Sequence, residues 1–261
     1  MTGLIQAFQA ERIKIKHSKT IWVTFIAFAL GPIMGGVFMV ILNNPDLAAQ
    51  SSSLNAKAQM MSVEVNWSSY LGILAQVVGV GGVIIFGFVI SWVFGREYSD
   101  GTAKDLLALP VSRARIIQAK FLVYLLWCMA LVLFNLLLGF IIGLLLGLPG
   151  FEWSFLTRDL YTYFITTLLT ILIGTPVALM ALMGKGYMAP LGFLVLSIVF
   201  AQIISAVGFG TYFPWAIPGI YSGSGGAYKE ALNLISYLIL IFTSLAGYYL
   251  TILWWRFRDQ V

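Results

Sequence analysis

The chain has 261 residues, of which 60% are hydrophobic and only 10% charged, and its formal net charge is +5. A soluble domain carries about 25% charged residues; with a mean hydropathy of +0.94, this chain has too little polar surface to cover a water-soluble fold. That excludes an ordinary soluble enzyme, a disordered chain and a nucleic-acid-binding domain, and leaves an all-α polytopic membrane protein whose basic excess belongs to inner loops.

The first element in chain order is GLIQAFQAERIKIKHSK, residues 3–19. Leu4, Phe8, Glu11 and Ile15 share one helical face, which predicts a short amphipathic helix lying on the inner leaflet. Lys14, Lys16 and Lys19 would then reach lipid phosphates. Six charge-free stretches follow, at 20–45, 65–95, 121–151, 160–184, 186–228 and 231–255. A membrane helix takes about 20 apolar residues. Each stretch supplies one span, at about 20–42, 70–95, 119–147, 160–184, 188–208 and 231–255, in a single domain covering 1–261. The fifth stretch has the length for two, but Pro214, Pro218 and the Gly/Ser run after Tyr221 break its second half. That half reads as an irregular or re-entrant aromatic segment around 209–219.

With the N-terminus inside, 12 of the 15 Lys and Arg fall on inner segments and 3 (Lys57, Arg158 and Lys229) on outer loops, so both termini are expected in the cytoplasm. The first span is not expected to be a cleaved signal, because its apolar run is too long and no small-residue cleavage site follows. The charge-free cores argue against ion-coupled transport and against a charged selectivity ring. Gln76, Asn135 and Gln202 remain as path-lining candidates, although an interhelical hydrogen-bonding role is the more ordinary one for each. Small residues recur at helical spacing: Gly31 and Gly35; Gly79, Gly87, Ser91 and Gly95; Gly139, Gly143 and Gly147. Such stripes suit close helix packing, either within one chain or between subunits.

Catalysis has little support. The sole histidine, His17, sits at the inner edge, and Cys128 has no second cysteine to pair with. The spans hold no acidic pair or metal-ligand cluster, and no GxxxxGK[ST] phosphate-binding loop occurs. No catalytic, cofactor-binding or metal residue is therefore expected, and any ATP, with its magnesium, must bind another chain.

The densest charge lies between the second and third spans, in GREYSDGTAKDLLALPVSRARIIQAK, residues 95–120. Thr102 suits the cap of a short helix from Ala103, with Asp105 on its first turn and Pro110 as its stop. Ser112 then suits the cap of a second helix, which continues through Lys120 into the third span. The short helix would carry Leu106, Leu107 and Leu109 below the membrane, where they need cover from the lipid surface or from a groove on a partner.

An acidic residue, Gly-Thr, a leucine-rich turn, Pro, Ser-Arg and a lysine leading into an apolar helix resembles the ABC type 2 permease family, the membrane subunits of bacterial ATP-driven exporters. The matching residues are Glu97, Gly101, Thr102, Leu106, Leu107, Pro110, Ser112, Arg113 and Lys120. The basic opening, the six spans and the long first outer loop extend the resemblance over essentially the whole chain. It implies two permeases, either two copies or one copy with a similar permease, bound to two ABC ATPase subunits in a bacterial plasma membrane. The loop helix would be a coupling helix, with Glu97, Gly101, Thr102, Leu106, Leu107, Leu109, Pro110 and Arg113 carrying the coupling and the N-terminal helix beside them. A re-entrant element between spans five and six is also implied, as is a path lined by spans one, two and five and opened by alternating access. Substrates of similar permeases include peptide antibiotics, drugs and lipids. Two other classes stay open: a channel or carrier that works without ATP, which leaves the loop leucines unexplained, and a membrane scaffold or sensor that does not transport.

Overall fold

The computed structural model describes residues 2–16, 18–44, 64–102, 111–224 and 230–257. Among them the structure is all helix, with no strand. The elements are α1 (Thr2–Lys16), α2 (Thr20–Asn43), α3 (Trp67–Ser99), α4 (Arg113–Leu145), α5 (Trp153–Ile173), α6 (Thr175–Met183), α7 (Met188–Ala206), α8 (Ile217–Tyr221) and α9 (Leu234–Phe257). Six helical runs are long and apolar enough to cross a membrane: α2, α3, α4, α5 continuing into α6, α7 and α9. This is a multipass membrane protein.

Helix starts follow their sequence signals. Asn66 caps α3 by accepting from the Ser69 backbone N–H at 2.8 Å, and Asn233 accepts from the Ser236 N–H at 3.1 Å at the start of α9. Ser112 holds the cap position of α4, but its hydroxyl makes no capping bond.

Helices α3 and α4 run past the charge-free stretches, so Glu97 and Lys120 lie inside them. The fourth span, expected as one helix over 160–184, is broken between α5 and α6. Pro176 lacks an N–H and cannot continue the ladder of α5. The carbonyl it frees, Leu172 O, accepts from the Thr175 and Ser244 hydroxyls at 3.0 and 2.8 Å, and the adjoining Ile171 O, bonded to the Gly174 N–H, also accepts from the Tyr124 hydroxyl at 3.0 Å. The break seats α6 against α9, where Gly247 lets the two backbones close up. A Cβ at Gly247 would stand 2.5 Å from Pro176 N.

The glycine stripes are used within the chain. Gly87 faces Leu194 of α7, Gly139 and Gly143 accept Leu74 and Trp67, and Gly31 accepts Val77. Midway along α3 the ladder widens into a π turn, Val77–Gly81, and there Gly79 lies against the Pro218 carbonyl of α8. After α7 the chain folds back through a 3-10 turn, Gly210–Tyr212, and α8, whose Ile217 is fully buried. This is the returning segment expected from Pro214 and Pro218.

Replacing Gly247 with Leu is expected to cost about 1–3 kcal/mol by overpacking and to lower the detergent melting temperature. Phe242→Leu, at a position 75% exposed, should leave that temperature unchanged in the same thermal denaturation series.

Candidate functional site

At the end of the bundle where α1 packs, two carboxylates and two ammonium groups meet. Lys120 of α4 is 1% exposed and uses all three of its donors. It donates to Glu97 Oε1 at 2.7 Å, to Val93 O at 2.8 Å and to Glu11 Oε2 at 3.3 Å. Lys14 donates to Glu11 Oε1 at 2.9 Å and to Glu97 Oε1 at 3.0 Å. Glu11 and Glu97 are 6% and 3% exposed. Two positive and two negative charges balance, which is the condition for taking them out of water. Glu97 Oε2 finds no hydrogen-bond partner among the described residues.

The cluster ties three elements together. Glu11 and Lys14 come from α1, Glu97 from the end of α3 and Lys120 from α4, so both feet of the segment joining α3 to α4 are clamped to each other and to α1. A second contact supports it: Arg96 donates to Asp100 Oδ2 at 2.9 Å and to Lys14 O at 3.2 Å, and its guanidinium lies over the Trp92 ring. Arg113, exposed at the start of α4, donates to Arg256 O of α9 at 3.3 Å.

The spacing from Glu97 to Thr102 has a backbone cause. Gly101 has φ +71°, the left-handed conformation that glycine adopts without a Cβ clash. Its N–H bonds to Tyr98 O at 3.3 Å, and the Thr102 N–H bonds to Glu97 O at 2.8 Å. That pair of bonds is a Schellman cap. Gly101 and Thr102 therefore end α3 one turn beyond Glu97, and this holds the Glu97 side chain over Lys120. Leu106, Leu107, Leu109 and Pro110, expected to carry coupling, lie outside the described residues.

The Leu4–Phe8–Glu11–Ile15 face of α1 turns toward the spans, with Phe8 and Ile15 against the core and Glu11 in the charge cluster. Lys14, expected at lipid phosphates, is paired with Glu11 and Glu97. The opposite face carries Ile5 and Ile13, both exposed, with Arg12 and Lys16.

Farther along α3 lie two hollows. One, of ≈ 110 Å³, is bounded by Gly79 and Val80 of the π turn, Gln202 and Ser205 of α7, and Thr211 and Trp215 of the returning segment. The indole Nε1 of Trp215 is buried with no hydrogen-bond partner among the described residues. The other, of ≈ 430 Å³, lies between α2 and α3 with Gln76 on its wall. Val80 and Ser224 line both, and neither is lined by a charged side chain. Asn135 sits elsewhere. It is fully buried, its amide donates to Phe28 O at 3.2 Å, and its Oδ1 accepts from the Tyr163 hydroxyl at 3.1 Å, so it braces α2, α4 and α5.

Sequence reasoning placed Glu97 and Lys120 at the two ends of the loop motif and missed Glu11 and Lys14 as their partners. One signal was available: Glu11 is the only charged member of an otherwise apolar helical face, and a buried carboxylate requires a cation.

Six helical runs long enough to cross a membrane, with two hollows along α3 that no charged side chain lines, define a multipass membrane protein. The model of the ABC-2 family of transporter proteins matches residues 7–203, and the chain belongs to that family: it is the membrane subunit of an ABC transporter. It is similar to a bacitracin transport permease protein, BCRB, of Bacillus licheniformis, at 25% identity over 178 residues, which is 68% of this chain and 85% of that protein.

Lys120→Met would leave Glu97 and Glu11 facing each other with only the half-exposed Lys14 between them. A loss of about 3–5 kcal/mol is expected, the scale for removing one partner of a buried ion pair, read as a lower melting temperature. Lys16→Met, on the exposed face of α1, should show no change.

Proposed function

We propose that this chain is the export permease of an ATP-driven transporter, coupled to a separate ATPase through the loop between α3 and α4. The observation that carries this reading is the Lys120–Glu97–Glu11 cluster, which holds both feet of that loop and fastens them to α1. A push on the loop reaches α3 and α4 together, because charges buried in pairs resist separation. Helix α3 then carries the motion to the π turn that walls both hollows. The ATPase would bind ATP and magnesium, and its closure would move Leu106, Leu107 and Leu109. The path would be enclosed with a second copy or a similar permease, with Gln76 and Gln202 as its polar contacts.

The α1 end of the bundle faces the cytoplasm in this reading, as the lysine and arginine count requires, with both termini inside a bacterial plasma membrane. Lipid covers the outer faces of the spans. The cargo is a hydrophobic or amphipathic molecule. A peptide antibiotic of the bacitracin kind agrees with the named relative and with walls that offer amide, hydroxyl and indole groups but no charge.

Substituting Leu106 and Leu107 together by Asp is expected to abolish co-purification with the ATPase while the chain still inserts into the membrane. Intact co-purification of that double variant would remove the docking role and favour a carrier or channel that works without ATP.

A further inference from the structure

The end of the bundle opposite the charge cluster holds a polar pocket that the transport path does not use. Its volume is ≈ 290 Å³, and it is lined by Ser68, Gly72 and Ala75 of α3, Arg158, Asp159 and Thr162 of α5, and Ser222 just after α8. Ser68, Gly72 and Ala75 stand at helical spacing on one face of α3, and a Cβ at Gly72 would meet nothing within 4 Å, so the space above it is open. Asp159 Oδ2 is buried and has no hydrogen-bond partner among the described residues. Glu97 Oε2 is in the same state, but the other oxygen of that carboxylate accepts from Lys14 and Lys120, and a shielded carboxylate oxygen without a donor is costly.

Phe151, Trp153 and Tyr161, near Arg158 and Asp159 in the chain, are 50%, 76% and 65% exposed, and aromatic side chains collect at the level of lipid headgroups. An anion and a cation on adjacent residues, in a pocket that Ser68, Thr162 and Ser222 also line, complement a group that carries a phosphate and an ammonium. We propose that this pocket holds the headgroup of a phosphoethanolamine lipid, its ammonium on Asp159 and its phosphate on Arg158. A primary ammonium brings the N–H donors that the carboxylate lacks, whereas a quaternary ammonium brings none. A purely anionic headgroup would meet Asp159 unfavourably. The site needs only the six-span membrane reading and is independent of ATP coupling.

The test uses the full chain in vesicles holding equal amounts of phosphatidylethanolamine and phosphatidylcholine. The protein is re-extracted in mild detergent, and its retained lipid is read by native mass spectrometry. The unaltered chain should retain phosphatidylethanolamine over phosphatidylcholine by a factor on the order of ten, the scale of one charge-assisted hydrogen bond. Asp159→Asn should bring the two lipids to parity, and Asp159→Glu should restore the preference. Gly72→Leu, which fills the pocket and leaves both charges in place, should remove retention of both lipids. Equal retention by the unaltered chain, or an undiminished preference in Asp159→Asn, would overturn the assignment. So would Asp159-dependent binding of a tripeptide with a free N-terminus by a chain that shows no lipid preference, since that would make the pocket a peptide site.

Discussion

One ammonium group, that of Lys120, sets much of the architecture at its end of the bundle. Lys120 sits where α4 enters the bundle, and at 1% exposure it is almost wholly shielded from solvent. An isolated buried charge costs far more than a domain's net stability, so Lys120 requires carboxylates within bonding distance. Glu97 arrives from α3 because Gly101 and Thr102 cap that helix one turn later. Glu11 arrives from α1, which therefore packs with its apolar face on the spans. The cluster does not by itself make the fold more stable than a hydrophobic replacement would. It does tie the ends of α1, α3 and α4 to one another.

Helix α3 joins three regions. One end carries Glu97, its π turn walls both hollows, and its first turns wall the polar pocket at the far end. A π turn in a long helix is a point where the ladder already departs from regular geometry. Gly79 there lets the α8 backbone approach, so the hollow beside α7 is shaped by α3 and the returning segment together. The match to the ABC-2 family covers residues 7–203, which include the cluster, the loop and most of α7.

Much of the fold was legible in the sequence, because long charge-free stretches leave the chain few choices other than membrane helices. The six spans fall where the charges permit, and Pro214 and Pro218 mark the returning segment. The fourth span looked continuous because its apolar content hides Pro176, and whether proline kinks or breaks a membrane helix depends on whether neighbours such as Thr175 and Ser244 take up the freed carbonyl. The glycine stripes left two partners open, and only the packing assigns Gly87 to Leu194 and Gly143 to Trp67. In the candidate site, Glu97 and Lys120 stood out as the bounds of the loop motif. Pairing between Glu11 and Lys120, 109 residues apart, depends on how α1 crosses α4, and no local pattern encodes that. Asn135 illustrates the same limit: a polar residue in a span looks alike in sequence whether it lines a path or braces its neighbours.

The proposed role of the charge cluster is to carry motion from the loop to the spans. The most direct measurement is substrate-stimulated ATP hydrolysis by the reconstituted transporter bearing Glu11→Gln, which keeps the side chain's volume and removes its charge. Loss of stimulation, with the ATPase still bound and its basal hydrolysis intact, is the result this account predicts. Stimulation equal to that of the unaltered transporter would contradict it and reduce the cluster to a structural brace.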